Sequence, residues 1–155
     1  MGSITATRYH DICAGHRVHG QGGKCEHLHG HNYRFHFTIE SKNPEALKHD
    51  GSTVGGVDEV GRVLDFSVMK EVLCEWLEQN WDHKMLLWEK DPFYAYVKDI
   101  DATAVRVPFN PTAENMAKHM VLVVAPLLFS KAGIQCVLIR CTIDETAKCS
   151  ATYSL

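Results

Sequence analysis

From His31 to Ile39 the odd positions read His, Tyr, Phe, Phe, Ile, while the even positions are polar. A period of two sends alternate side chains to opposite faces, so this stretch predicts a strand with one apolar face. Ile4 to Cys13 is rich in Ile, Thr and Tyr and predicts a first strand. Between them HGQGGK (residues 19–24) holds three glycines in four positions and predicts a flexible loop. Residues 41–61 are polar and glycine-rich and read as a long connection, with a short strand over Arg62 to Leu64 after it. Helical spacing then links Met69, Val72, Leu73, Trp76 and Leu77 in a helix capped by Asp65 or Ser67 and ending near Asn80. Asp91-Pro92 predicts the start of a short second helix, and Thr103 to Phe109 a short strand. In NPTAEN (residues 110–115) Pro111 closes an extended segment and Thr112 caps a third helix. That helix carries the apolar stripe Met116, Met120, Val123, Val124 and Leu127, a kink at Pro126, and Gly133 past its end. QCVLIRCTIDE (residues 135–145) and Ala151 to Tyr153 predict the last strands. Strands, then helices, then strands indicate an α+β domain with an antiparallel sheet and no internal repeat.

Composition narrows the class without naming a function. The chain has 155 residues, the size of a single domain over 1–155. A net charge of -3 gives no electrostatic reason to expect nucleic acid or an anionic membrane as partner. No apolar run approaches a membrane span, and the opening MGSITATRYHD lacks the apolar stretch of a secretory signal. MGSITA fits a myristoylation pattern only loosely, with Ala6 in sixth place and no basic patch following. The 6 cysteines show no CxxC spacing and read as free thiols of a cytoplasmic protein. The 10 histidines are the compositional oddity.

Three of them fall in CEHLHGH (residues 25–31). His29 and His31, two apart at a strand entry, point to one face and can meet one ion. His16, at the end of the first strand, is the third candidate, because the glycine-rich loop lets the chain return. Three neutral imidazoles suit zinc and leave a fourth position open for water or substrate, the catalytic pattern. His27 shares the parity of His29 and competes as a ligand, and a closed structural site using Cys25 is the intermediate alternative. His10, His19, His36, His49 and His119 are read as having no role in the site.

A thiol accepts a proton only as thiolate, and neighbouring positive charge (a metal ion, Lys24) favours that form. Cys25 is therefore a candidate base, whereas Cys74, Cys136 and Cys141 read as packed core thiols. In WDHKML (residues 81–86) Asp82 could orient His83 for acid–base work. Glu145, at a strand end, could accept two parallel N–H bonds from a guanidine-like ligand edge.

Taken in order, CAGH (13–16), KCEHLHGHNY (24–33), VLDFSVMK (63–70), WDHKML (81–86), NPTAEN (110–115) and DETA (144–147) resemble the 6-pyruvoyltetrahydropterin synthase family. The likeness is greatest to its 6-carboxytetrahydropterin synthase branch, which serves the queuosine (7-deazaguanine) pathway; a cysteine at the head of CxxxHGH favours that branch. The resemblance implies the tunnelling fold (T-fold), with helices on one face of the sheet, trimers joining their sheets into a barrel, and two trimers stacking into a hexamer. It implies Zn2+ held by His16, His29 and His31, Cys25 as base, and Asp82 and His83 as proton-relay partners, with a neighbouring subunit as one source of that pair. It further implies Glu145 as anchor of the pterin edge, with Thr112 nearby. The implied substrate is 7,8-dihydroneopterin triphosphate, converted to 6-carboxy-5,6,7,8-tetrahydropterin with loss of triphosphate and acetaldehyde; the alternatives are a 6-pyruvoyltetrahydropterin synthase and a non-catalytic zinc or pterin-binding module. Segments 41–61 and 87–109 are longer than in compact relatives and read as lid or subunit-contact segments. Lys24 and Arg17 are the candidates for the triphosphate.

Overall fold

The computed structural model describes residues 3–42, 48–49, 52–53 and 56–155. The strands are β1 (Ala6–His16), β2 (His29–Ser41), β3 (Lys48–His49), β4 (Ser52–Thr53), β5 (Met85–Trp88), β6 (Val105–Val107), β7 (Cys136–Asp144) and β8 (Ser150–Ser154). Six form one sheet in the order β6-β5-β1-β2-β7-β8, and β3 and β4 form a separate pair. The long strands β1, β2, β7 and β8 are antiparallel as expected, but β5 and β6 join parallel to β1, so the sheet is mixed. The helices are α1 (residues 66–80), α2 (Tyr94–Ile100) and α3 (residues 113–132).

The period of two holds through β2. Tyr33, Phe35, Phe37 and Ile39 are buried beneath α1 and α3, beside Ile12 and Ala14 of β1. The opposite sheet face is a polar ladder: Arg34 grips Asp11 with two bonds (2.8 and 3.0 Å), and Thr7 meets Thr38 at 2.9 Å. A register shift at Thr38/Ile39 pairs Thr38 with Arg140 and Ile39 with Leu138. The extra residue changes parity along β7, so Leu138 and Cys141 both reach the core.

Both long helices contain a π turn, over Lys70–Cys74 in α1 and Met120–Val124 in α3. Their buried positions explain it. Met69, Leu73 and Leu77 recur every fourth residue, as do Met116, Met120 and Val124. A four-residue recurrence drifts about 40° per step around a regular α-helix, and the wider π turn removes part of that drift. It also places the distortion expected from Pro126 just ahead of the proline. Val123 and Leu127, expected in the buried stripe, are exposed for this reason. Thr112 caps α3 by accepting the Asn115 N–H, Asp65 caps α1 at Ser67, and Gly133 ends α3 with φ +67.

Other expectations are corrected. Arg62 to Leu64 is no strand: Asp58 binds the Arg62 amide and guanidinium while Gly61 turns the chain at φ +92. The second helix begins at Tyr94, three residues past Asp91, whose carboxylate receives the Phe93 amide. β1 runs on to His16, beyond Cys13. Much of segment 41–61 lies outside the described residues, as does the side chain of His49.

Candidate metal centre and active site

β1 and β2 pair so that His16 stands opposite His29 and Ala14 opposite His31. All three rings therefore project from the helix-covered face, at the end of the core that Tyr33 closes. The glycine inside HGH has a steric reason: a β-carbon on Gly30 would lie 3.0 Å from the Ala14 carbonyl oxygen. Among the described residues these histidines form the one cluster with metal-ligand geometry, their ligand atoms all within 4.8 Å of one another.

The hydrogen bonds fix two tautomers. His16 Nδ1 lies 2.7 Å from the Pro111 carbonyl oxygen and His29 Nδ1 2.7 Å from that of His27. A carbonyl oxygen only accepts, so each Nδ1 carries the hydrogen and each Nε2 keeps its lone pair. Burial pushes His16 below its ordinary pKa and so favours its neutral form. Yet the two Nε2 atoms face each other at 3.0 Å. Two lone pairs at that distance repel unless a cation lies between them. The separation is close to the roughly 3.3 Å edge of a tetrahedron built with Zn–N distances of about 2.05 Å. His31 Nε2 is buried without a hydrogen-bond partner, 3.6 Å from Glu145 Oε1. Burial pushes His31 down as well, ahead of the opposing pull of Glu145. The donor set fits a zinc ion, with carbonyls behind two ligands in the orientation that supports metal binding.

His27 contributes its carbonyl, its side chain being exposed, and Cys25 is not part of the ligand cluster. Cys25 sits half-buried at the centre of a 3-10 turn, Lys24–Glu26, where its carbonyl receives the Val18 amide at 2.8 Å. The Tyr33 hydroxyl, 3.1 Å from His16 Nδ1, is pushed far above its ordinary pKa by burial, then by Glu145 and Cys25, which places both groups within electrostatic reach of it.

Trp81 anchors WDHKML in the core against Phe35 and Trp76, leaving Asp82 and His83 at the surface. His83 has φ +58, the only positive φ outside glycine among the described residues. Its amide bonds the Cys13 carbonyl (2.6 Å), and Asp82 Oδ1 accepts the Cys13 amide (2.9 Å), clipping the pair to β1. Asp82 Oδ2 lies 3.0 Å from His83 Nδ1. Burial tends to raise the Asp82 carboxyl, but the Cys13 amide and His83 outweigh it and hold the group low. His83, His31 and Glu145 share the walls of an open cavity of about 860 Å³.

Two supporting residues escaped the sequence reading. Pro111 supplies the carbonyl that orients His16, and Asn110 pairs with both backbone groups of His19 (3.1 and 2.9 Å). The role of Pro111 in NPTAEN was not legible, because a backbone carbonyl leaves no residue-type signature. Arg17, a candidate for the triphosphate, is buried and engaged with Asp91 instead. His119 stacks on Trp81, and His36 bonds Asp144 at 2.8 Å.

The family model of 6-pyruvoyl tetrahydropterin synthase matches residues 5–155. A Rickettsia bellii protein named 6-carboxy-5,6,7,8-tetrahydropterin synthase is 36% identical over 129 residues, 81% of this chain and 83% of its own. A Rickettsia typhi protein of the same name is 34% identical over 130 residues, with the same coverage of both chains. Among solved structures, an uncharacterized protein from Wolinella succinogenes superposes with a TM-score of 0.75 at 19% identity over 99% of both chains. The Caenorhabditis elegans 6-pyruvoyl tetrahydropterin synthase superposes with a TM-score of 0.61 at 25% identity, over 100% of this chain and 97% of that one. The sheet with helices on one face is thus the fold of these synthases, and the chain belongs to the 6-pyruvoyl tetrahydropterin synthase family of lyase-type enzymes.

Proposed function

We propose that the protein is a zinc-dependent lyase of 7-deazaguanine biosynthesis that converts 7,8-dihydroneopterin triphosphate and water to 6-carboxy-5,6,7,8-tetrahydropterin, acetaldehyde and triphosphate. The observation that carries the metal assignment is the pair of bare Nε2 lone pairs of His16 and His29 at 3.0 Å, with the orphaned His31 Nε2 beside them. The names of the relatives support the carboxy product.

When bound, zinc supplies a Lewis acid that polarises oxygens of the substrate side chain and acidifies the neighbouring C–H bonds. The chain's own residues do the rest. Cys25 thiolate takes a proton from the side chain, and His83, oriented by Asp82, returns one. Glu145 accepts from the 2-amino and ring N–H edge of the pterin. The Thr112 hydroxyl oxygen holds the Asn115 amide (3.2 Å), which leaves its hydrogen to donate to the ligand. Hydrogen moves between side chain and ring before the carbon–carbon bond is cleaved, so no redox cofactor takes part. Six copies, as two stacked trimers, complete the assembly in this reading; β6 and β8 end the described sheet with edges available for pairing. The six free cysteines suit a reducing cytoplasm.

A second reading follows from the name of the family model: a 6-pyruvoyl tetrahydropterin synthase would expel triphosphate and keep the three-carbon side chain. Mass spectrometry of the zinc-loaded protein with 7,8-dihydroneopterin triphosphate separates them. Acetaldehyde and the carboxy-pterin in equal amounts support the proposal; a product that retains its side chain supports the second reading and overturns the first.

A further inference from the structure

Arg17 follows a metal ligand and carries one of two buried charges that oppose each other. Its Nε donates to Asp91 Oδ2 at 2.9 Å, and the two side chains are 8% and 0% exposed. Nη1 donates to the Glu26 carbonyl oxygen at 2.8 Å, and Nη2 to His19 Nδ1 at 3.1 Å. The Phe93 ring lies across the guanidinium, 3.6 Å away. Such a guanidinium has its directions fixed on three sides and covered on one face, an arrangement a lysine could not reproduce.

Each partner is itself held. Asp91 Oδ1 receives the Phe93 amide (2.9 Å), and the Asp91 amide bonds the Trp88 carbonyl (2.9 Å). The carboxylate therefore stands at a fixed place between β5 and α2, inside segment 87–109. On the other side, Glu26 is the residue after Cys25, and its carboxylate receives the amides of Gly20 (2.8 Å) and Gly22 (3.2 Å). The Cys25 carbonyl takes the Val18 amide. Two consecutive residues leaving β1, Arg17 and Val18, thus hold the carbonyls of two consecutive residues, Glu26 and Cys25. The intervening loop has Gly20, Gly22 and Gly23 and no apolar anchor of its own, so without these bonds the thiol could occupy many positions.

We infer that the Arg17–Asp91 pair positions Cys25: the segment after β5 is a strut that, through one guanidinium, sets where the thiol stands relative to the three histidines. This deepens the proposed function and rests on its assignment of Cys25 as the base. Arg17 and Asp91 act through the loop and are positioning residues. Displacement of a reacting group by about 1 Å costs on the order of 100-fold in rate, so a loosened turn should be felt in turnover before it is felt in substrate binding.

The test uses the zinc-loaded full chain and the Asp91→Asn variant, with R17Q/D91N as a second variant that removes both buried charges and so avoids an unpaired one. Three quantities are read: zinc content, kcat and KM, and the alkylation rate of each cysteine by peptide mapping without substrate. The inference expects full zinc, kcat lowered at least about tenfold with KM within about threefold, and Cys25 alkylated at least about threefold faster. The exposed Cys13 and Cys149 serve as internal references and should be unchanged. Unchanged kcat in a folded variant overturns the inference, as does a lowered kcat with the Cys25 alkylation rate unmoved. The base assignment fails separately, if Cys25→Ala turns over normally; the alkylation rates would then still report whether the strut holds the loop.

Discussion

His16 and His29 each give their Nδ1 hydrogen to a carbonyl and are left with lone pairs that oppose each other, and this local fact organises the site. Replacing Cys25 by alanine should lower turnover about 100- to 10,000-fold, the usual loss for a general base, measured as steady-state kcat; normal turnover would remove Cys25 from the chemistry. Glu145→Gln removes the charge of a charge-assisted bond worth about 1.5–3 kcal/mol, so pterin binding followed by calorimetry should weaken about 10- to 150-fold. Affinity within twofold of the parent would place Glu145 outside the ligand contacts. The histidines also set an acid limit. Burial depresses His16, His31 and His119 below their ordinary 6.5. In the metal-free protein the fold favours the neutral rings, so the unfolded chain binds more protons as pH falls below about 6.5. Their contribution is full above about 6.5 and is lost as pH falls through the window down to the folded values. Carboxylates held low by hydrogen bonds, such as Asp65 and Asp101, add a further loss only below their ordinary 3.8. Melting temperatures of the metal-free protein should begin to fall below about pH 6.5; a flat profile down to about pH 5 would contradict this.

At the scale of elements, the turn before α3 does two things at once. Pro111 orients His16 and Thr112 caps the helix that packs on β7 and β8. Thr112→Ala should cost about 1 kcal/mol through the lost cap and also weaken pterin binding, while Thr112→Ser should restore both. Denaturant unfolding and calorimetry check the two effects, and loss of stability alone would leave Thr112 a cap only. The caps and the alternating strand were legible because they are written in residue types at fixed spacing. The π turns were not, since a four-residue recurrence also fits an ordinary amphipathic helix within three turns. β5 escaped because MLLW is a four-residue apolar run with no period to read, and its parallel pairing depends on where the chain returns.

On the scale of the whole molecule, the order of motifs carried most of the information. Topology brings His16, from the end of β1, to His29 and His31, at the start of β2, through an antiparallel register that the glycine loop permits. The strut from Asp91 to Arg17 could not be foreseen, because it joins residues 74 apart and no spacing in the sequence links them. Assembly is a separate prediction: light scattering after gel filtration should give a mass near six times that of the chain, and a monomer would contradict it.

Zinc stoichiometry in three purified proteins tests most directly whether the three histidines hold zinc while the thiol stays free. The parent and Cys25→Ala should each bind one zinc per chain, and His29→Ala should bind little or none. Loss of zinc from Cys25→Ala, or full retention by His29→Ala, would contradict it.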